Sequence, residues 1–268
     1  MRSYTIAEIK NSYEQKKDWE KQFPVSRYIF RPLSFAAASV LSRLTNSAEA
    51  VAWAGLAAGL AASWFLFDLK AYGPWPGIGG LALFALLDAV DGNLARVTGT
   101  VTFYGKMLDG IFGKLAEGIY MPALACGIYR ACGDGPANGL AAAFSPLLNQ
   151  RTAVSWSIAA AGFIALSAML YSGTIETAYD SLLLQKTPPS APAGINARIG
   201  SSRFRGNSIY ALFINLNAFN VQVLLLAAAA CFGVRGLVYF VEALAAYYLL
   251  RLAVIFVYYT RKASTDLR

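Results

Sequence analysis

The stretch Asp88-Ala-Val-Asp91-Gly92-Asn-Leu-Ala95-Arg96, followed after eight residues by Gly105-Lys-Met-Leu-Asp109, decides how the rest of the chain is read. Three carboxylates stand among small residues where one long apolar run ends and the next begins. The 268-residue chain around them is 57% hydrophobic and 14% charged. Ionised groups at the edge of hydrocarbon are costly unless paired, hydrated or bound to a metal. Acids at this depth therefore need a chemical reason.

Outward from this stretch, uncharged runs cover residues 50–67, 71–87, 152–175 and 206–234, with further apolar segments at 118–129 and 236–260. A spanning helix needs roughly 20 mostly apolar residues. The expected architecture is all-α and polytopic, with six transmembrane helices: one near 47–67, one from about 78 with Asp88 and Asp91 in its last turns, and four near 105–130, 152–172 (with room to extend to 184), 209–232 and 236–260. An Asn-Ser capping signal at 46–47 opens the first. Gly73-Pro-Trp-Pro-Gly77 marks the turn on the far side, with Trp75 as an interface anchor. Residues 1–24, polar and mixed in charge, are expected to form an exposed helix or a partly ordered arm, unlike a cleavable signal peptide. From Val25 to Leu44, arginines at 27, 31 and 43 punctuate apolar residues, the pattern of an amphipathic helix lying in the membrane interface. The expected organisation is an N-terminal arm and interfacial helix over 1–46, a six-helix catalytic domain over 47–262 and a tail over 263–268. A loop rich in Gly, Pro and Asn (133–150), with room for a short helix, and a hydrophilic loop (185–208) complete the plan.

The formal net charge is +8, with no histidine. That absence excludes His-based acid–base catalysis and His–metal sites. Lys and Arg concentrate on the side of the expected termini, so both termini and the carboxylates are placed at the cytoplasmic face of an integral membrane protein. The basic excess suits anionic lipid headgroups or phosphate-bearing substrates, and no nucleic-acid partner is expected. Cys126, Cys132 and Cys231 lack metal or redox spacing and read as packing residues.

Asp88 and Asp91 are three residues apart and project from one helix face, with Gly92 and Ala95 beside it lacking bulk. Asp109 comes from the next helix, an antiparallel neighbour. Three converging carboxylates need a counter-charge, and the hard cation Mg²⁺, or Mn²⁺ in its place, is the natural one. Such an ion would clamp a diphosphate. A proton relay or an intramembrane ion pair with Arg96 or Lys106 accounts for part of the same pattern.

In order and spacing, Asp88, Asp91, Gly92, Ala95, Arg96, Gly105 and Asp109 resemble the signature of the CDP-alcohol phosphotransferase, or CDP-alcohol phosphatidyltransferase, family. The resemblance implies an integral-membrane, usually homodimeric enzyme of phospholipid biosynthesis. Such an enzyme uses divalent metal to transfer a substituted phosphate from a CDP-linked donor to an alcohol acceptor, with release of CMP. By position, Asp88, Asp91 and Asp109 would ligate metal, Gly92, Ala95 and Gly105 would shape the CDP pocket, and Arg96 would support the site or a phosphate. CDP-diacylglycerol or a similar lipid is the expected donor. The acceptor is not specified.

One position departs from that signature. The family pattern places a further aspartate four residues after Asp109, as metal ligand and base; this chain has Gly113, followed by Lys114. Three outcomes stay open. Glu117, one turn further along, could cover the position as base, because helical side chains tilt toward the N-terminus; otherwise it is a structural ion-pair partner. The site could work with fewer ligands and a base supplied by water or the acceptor. Or the chain could bind a CDP-type ligand without turnover, with Lys114 supplying charge. A membrane prenyltransferase would also use Asp-rich Mg²⁺ sites, but a second Asp-rich motif is missing.

Remaining features have two readings each. Arg203 and Arg205, with Arg198, are candidate phosphate contacts or headgroup contacts. Asn215, Asn217, Asn220 and Gln222 form a polar stripe for interhelical hydrogen bonds or for an acceptor pocket. Thr98, Thr100 and Thr102 suit the nucleotide pocket or the turn itself. Glu242 and Arg251 fall on opposite faces of one helix and are not each other's partner.

Overall fold

The computed structural model describes residues 2–13, 23–132, 150–186 and 215–266. Among these residues the helices are, in chain order, α1 (Ile6–Ser12), α2 (Arg31–Leu41), α3 (Ala48–Phe67), α4 (Leu69–Tyr72), α5 (Trp75–Thr98), α6 (Phe103–Cys132), α7 (Gln150–Lys186), α8 (Phe219–Ala230) and α9 (Gly233–Asp266), and no strand forms. A π-helical turn, Ser26–Phe30, leads into α2. The all-α expectation holds.

Among the described residues five helices, α3, α5, α6, α7 and α9, are long and apolar enough to cross a membrane. The expected fifth span, 209–232, is described only as the shorter α8, whose 12 residues extend about 18 Å at 1.5 Å per residue. Residues 209–214, where that span was expected to begin, lie outside the described residues, as do the loop over 133–149 and most of the loop over 185–208.

Local chemistry sets the helix ends around the site. Ser47 caps α3 by accepting from the Ala50 N–H at 3.1 Å, as the capping signal predicts. The expected five-residue turn at 73–77 is shorter in the structure. Gly73 takes φ 67°, and α5 begins at Trp75 with a proline in its first turn, where the missing N–H costs nothing. At its other end α5 runs through Arg96 and stops at Gly99, φ 71°, whose N–H donates to the Arg96 carbonyl at 3.2 Å. Thr102 then starts α6, accepting from the Gly105 N–H at 3.0 Å. The crossing between the two acid-bearing helices is thus only Gly99–Thr102.

Packing follows chain order: α3 lies against α5 and α6, α6 against α7, α7 against α9, and α8 against α9 and α5. Small residues allow close backbones, the usual device where apolar surface meets lipid instead of water. A Cβ on Gly127 of α6 would collide with the Leu66 carbonyl oxygen of α3. The shared core includes Leu66, Leu81, Leu124, Ile128, Leu226 and Tyr248. At the end of the bundle remote from the carboxylates, Arg130 of α6 pairs with Asp68 at 3.7 Å and closes α3 onto α6.

Within the N-terminal segment a largely exposed helix forms, one of the two expectations, and one of its faces is docked. Thr5 and Glu8 form a capping box that starts α1. Ile9 is wholly buried with Ala38, Val51, Val90 and Leu94. The Tyr4 N–H donates to Ser42 Oγ at 3.0 Å, and Ser39 Oγ donates to the Tyr4 carbonyl at 2.8 Å. Residues 2–13 are therefore docked on α2 and α5. Their apolar stripe, Ile9 and Tyr13, is only one turn long among charges, too little to stand out in the sequence. On α2, Ser34 and Ala38 face inward while Leu33 and Val40 are exposed, the two-faced pattern expected of an interfacial helix.

Candidate active site

A cavity of about 1290 Å³ opens between α2, α3, α5, α6 and the start of α8. Its wall gathers Asp88, Asp91, Gly92, Ala95, Arg96, Gly105, Asp109, Gly113 and Glu117. Every candidate residue from the signature stretch thus faces one space. Arg198, Arg203 and Arg205 lie outside the described residues.

The carboxylates meet at the end where only Gly99–Thr102 separates α5 from α6, both of which pack against α3. Asp88 and Asp109 are hydrogen-bonded neighbours across the two helices, and Asp91 lies within electrostatic reach of both. Two carboxyls in contact need positive charge between them, from a proton or a cation. Asp91 is buried, accepts a hydrogen bond from the Gly92 backbone and stands in the field of Arg96. Among the described residues no group of three His, Cys, Asp or Glu side chains stands close enough together to hold a metal ion in this arrangement. The donor set is nonetheless all oxygen, which fits a hard divalent ion rather than a soft one.

The same cavity holds a basic pair within electrostatic reach of the acids, Arg31 of Asp88 and Arg96 of Asp91. Arg96 Nη2 donates to Asn93 Oδ1 at 2.7 Å, and Arg31 Nη1 from α2 donates to the same oxygen at 3.4 Å. Asn93 Nδ2 donates in turn to Ser34 Oγ at 2.9 Å. Gly92 makes room for this arrangement, since a Cβ there would stand 3.3 Å from Arg96 Nη1. Arg31, Asn93 and Ser34 were not read as site residues from the sequence. Asn93 fills a variable position of the signature, and Arg31 looked like one basic residue of an interfacial helix. Thr98 and Thr102 serve the turn: Thr98 Oγ1 donates to the Leu94 carbonyl at 2.7 Å, although Thr100 and Thr102 also line the cavity.

Further along α6, Gly113 faces open space, with nothing within 4 Å of an added Cβ. Glu117 lies one turn deeper and pairs with Lys114 at 3.8 Å. The ion-pair alternative for Glu117 is therefore present, but it does not remove Glu117 from the cavity wall.

Behind that end of the cavity lies a second set of buried polar groups. Tyr120 Oη donates to Gln222 Oε1 at 2.7 Å, and Gln222 Nε2 donates to Tyr248 Oη at 2.8 Å. Gln222 of the polar stripe thus ties α8 to α6 and α9, whereas Asn220 lines the cavity. Arg251 pairs with Glu176 at 3.1 Å and donates to Ser172, so its partners belong to α7 and not to its own helix.

Comparison with known families agrees with the motif. Residues 45–165 match the family model described as CDP-alcohol phosphatidyltransferase, which bears out the resemblance carried by the signature. No curated protein and no solved structure matches the chain.

Proposed function

We propose that this chain, whose residues 45–165 carry the CDP-alcohol phosphatidyltransferase pattern, transfers a substituted phosphate group from a CDP-linked donor to a hydroxyl acceptor and releases CMP. The observation that carries this reading is the meeting of Asp88, Asp91 and Asp109 with Arg96 and Gly105 on one cavity wall, between two helices of membrane-spanning length. A lipid donor such as CDP-diacylglycerol suits a cavity bordered by α2 with its exposed apolar face. The clustering of Lys and Arg supports a cytoplasmic opening, and the family resemblance supports a homodimer.

Asp88, Asp91 and Asp109 would hold Mg²⁺ or Mn²⁺, which when bound neutralises charge on the phosphoryl oxygens. The chain's own residues do the rest. Arg96, lying flat over Gly92 and near Asp91, holds a phosphate oxygen. Phe84 and Phe219 close the deeper wall with apolar surface. The acceptor hydroxyl oxygen attacks the phosphorus distal to the cytidine, and the bond from that phosphorus to the bridging oxygen breaks. CMP leaves with the electron pair. Glu117 takes the hydroxyl proton, directly or through one water in the open space beside Gly113.

Gly113 favours a second reading, a CDP-ligand binder without turnover. The test is CMP release by purified protein with Mg²⁺, CDP-diacylglycerol and a panel of alcohols and phosphorylated polyols. Release that depends on one acceptor is expected. Binding of the CDP ligand with no release across the panel would establish the binder instead.

A further inference from the structure

Tyr13, at the end of α1, is buried behind the basic wall of the cavity. The Arg31 guanidinium lies 4.4 Å from its ring centroid and the Arg96 guanidinium 5.3 Å. Phe35 meets the same ring edge-on at 5.5 Å. Two cations from different helices thus converge on one aromatic ring and one Asn93 oxygen, while both line the cavity. Such convergence of like charge is unfavourable by itself. The aromatic face and the Oδ1 atom offset it in part, and Asp88 and Asp91 act on Arg31 and Arg96 respectively. Both guanidinium groups border the open cavity, and such a pair presents the planar donor forks that phosphate oxygens accept.

We propose that Arg31 and Arg96 form the phosphate subsite of this cavity, and that Tyr13 is the positioning residue that sets their spacing. The N-terminal helix is then a working part of the substrate site. Its docking through Ile9, Ser39 and Ser42 fixes where the tyrosine ring stands. Identification of the phosphate as the diphosphate of a CDP-linked donor rests on the transfer reading above; the anion subsite itself does not.

The test is a titration of the full chain in nanodiscs with pyrophosphate at fixed Mg²⁺, followed by ³¹P NMR, with CDP titrated in parallel. Arg31→Gln and Tyr13→Leu should each weaken pyrophosphate binding about tenfold, while Tyr13→Phe, which keeps the ring, should bind as the unmodified protein does. Pyrophosphate binding without CDP binding would sink the nucleotide reading and support the anion subsite. No pyrophosphate binding by the unmodified protein would overturn the subsite. So would an unchanged affinity in Arg31→Gln, or equal losses in Tyr13→Phe and Tyr13→Leu.

Discussion

The Lys114 ammonium stands 3.8 Å from the Glu117 carboxylate on the cavity side of α6, next to the open space at Gly113. The lysine side chain is 52% exposed and the glutamate 13%. A pair with one partner in water contributes little, up to roughly 1 kcal/mol. It therefore leaves the carboxylate free to exchange partners when a hydroxyl enters. Glu117 thus stays on the cavity wall one turn from Gly113.

Replacing Gly113 by Asp should raise the rate of CMP release, because the new side chain enters open space and places a carboxylate beside Asp109. With Glu117 already acting as base from one turn away, the gain comes from a better-placed carboxylate and stays well below the roughly 10²–10⁴-fold value of a base over none. About tenfold over the present chain is expected. An unchanged rate in a folded Gly113→Asp protein would show that proton removal does not limit the reaction.

Glu117→Gln keeps the shape of the side chain and removes its basicity. If Glu117 takes the proton, turnover should fall by about 10²-fold or more while affinity for CDP stays the same. Lys114→Ala is the control, and should change turnover by no more than a few-fold. Equal activity in Glu117→Gln and the unmodified protein would leave the ion pair as the residue's whole role.

Gln222→Leu should lower stability without touching the cavity wall. It strands the Tyr120 and Tyr248 hydroxyls, both fully buried. An unsatisfied buried group costs about 1–3 kcal/mol, and hydrogen bonds between membrane helices fall at the lower end. A loss of roughly 2 kcal/mol in detergent unfolding is expected. Removing both hydroxyls as well, with Tyr120→Phe and Tyr248→Phe, should restore most of it.

Acid should loosen α1. The Thr5 backbone N–H and hydroxyl donate to Glu8, Arg2 pairs with it, and together they hold its carboxyl below the ordinary value of 4.5. A lowered folded-state value means that the capping contribution is complete above the unfolded value and is lost as pH falls through the folded one. Spin labels on α1 and α3 should report a constant distance above about pH 5 and a broader distribution below it. Glu8→Gln should remove that pH dependence.

The line between sequence and tertiary structure can be drawn residue by residue. Helical class, the long apolar segments, the Ser47 cap and the grouping of Asp88, Asp91 and Asp109 were legible because each depends on local spacing along one or two adjacent helices. The match over residues 45–165 falls on the same stretch. The expected turn at 73–77 was too long because proline reads as a breaker, although in a first turn it is compatible with helix. The length of the span around α8 was not decided by hydropathy alone.

What only the tertiary structure decided lies off the signature. Tyr13, Arg31, Ser34 and Asn93 come from three separate elements and meet through long-range packing, so no spacing announces them. Arg251 likewise finds Glu176 on another helix. The stretch from Asp88 to Asp109 keeps its acids together on one cavity wall. Arg31 reaches that wall only because α2 docks onto α5, and a polar side chain's partner across helices depends on the fold and not on its neighbours in the chain.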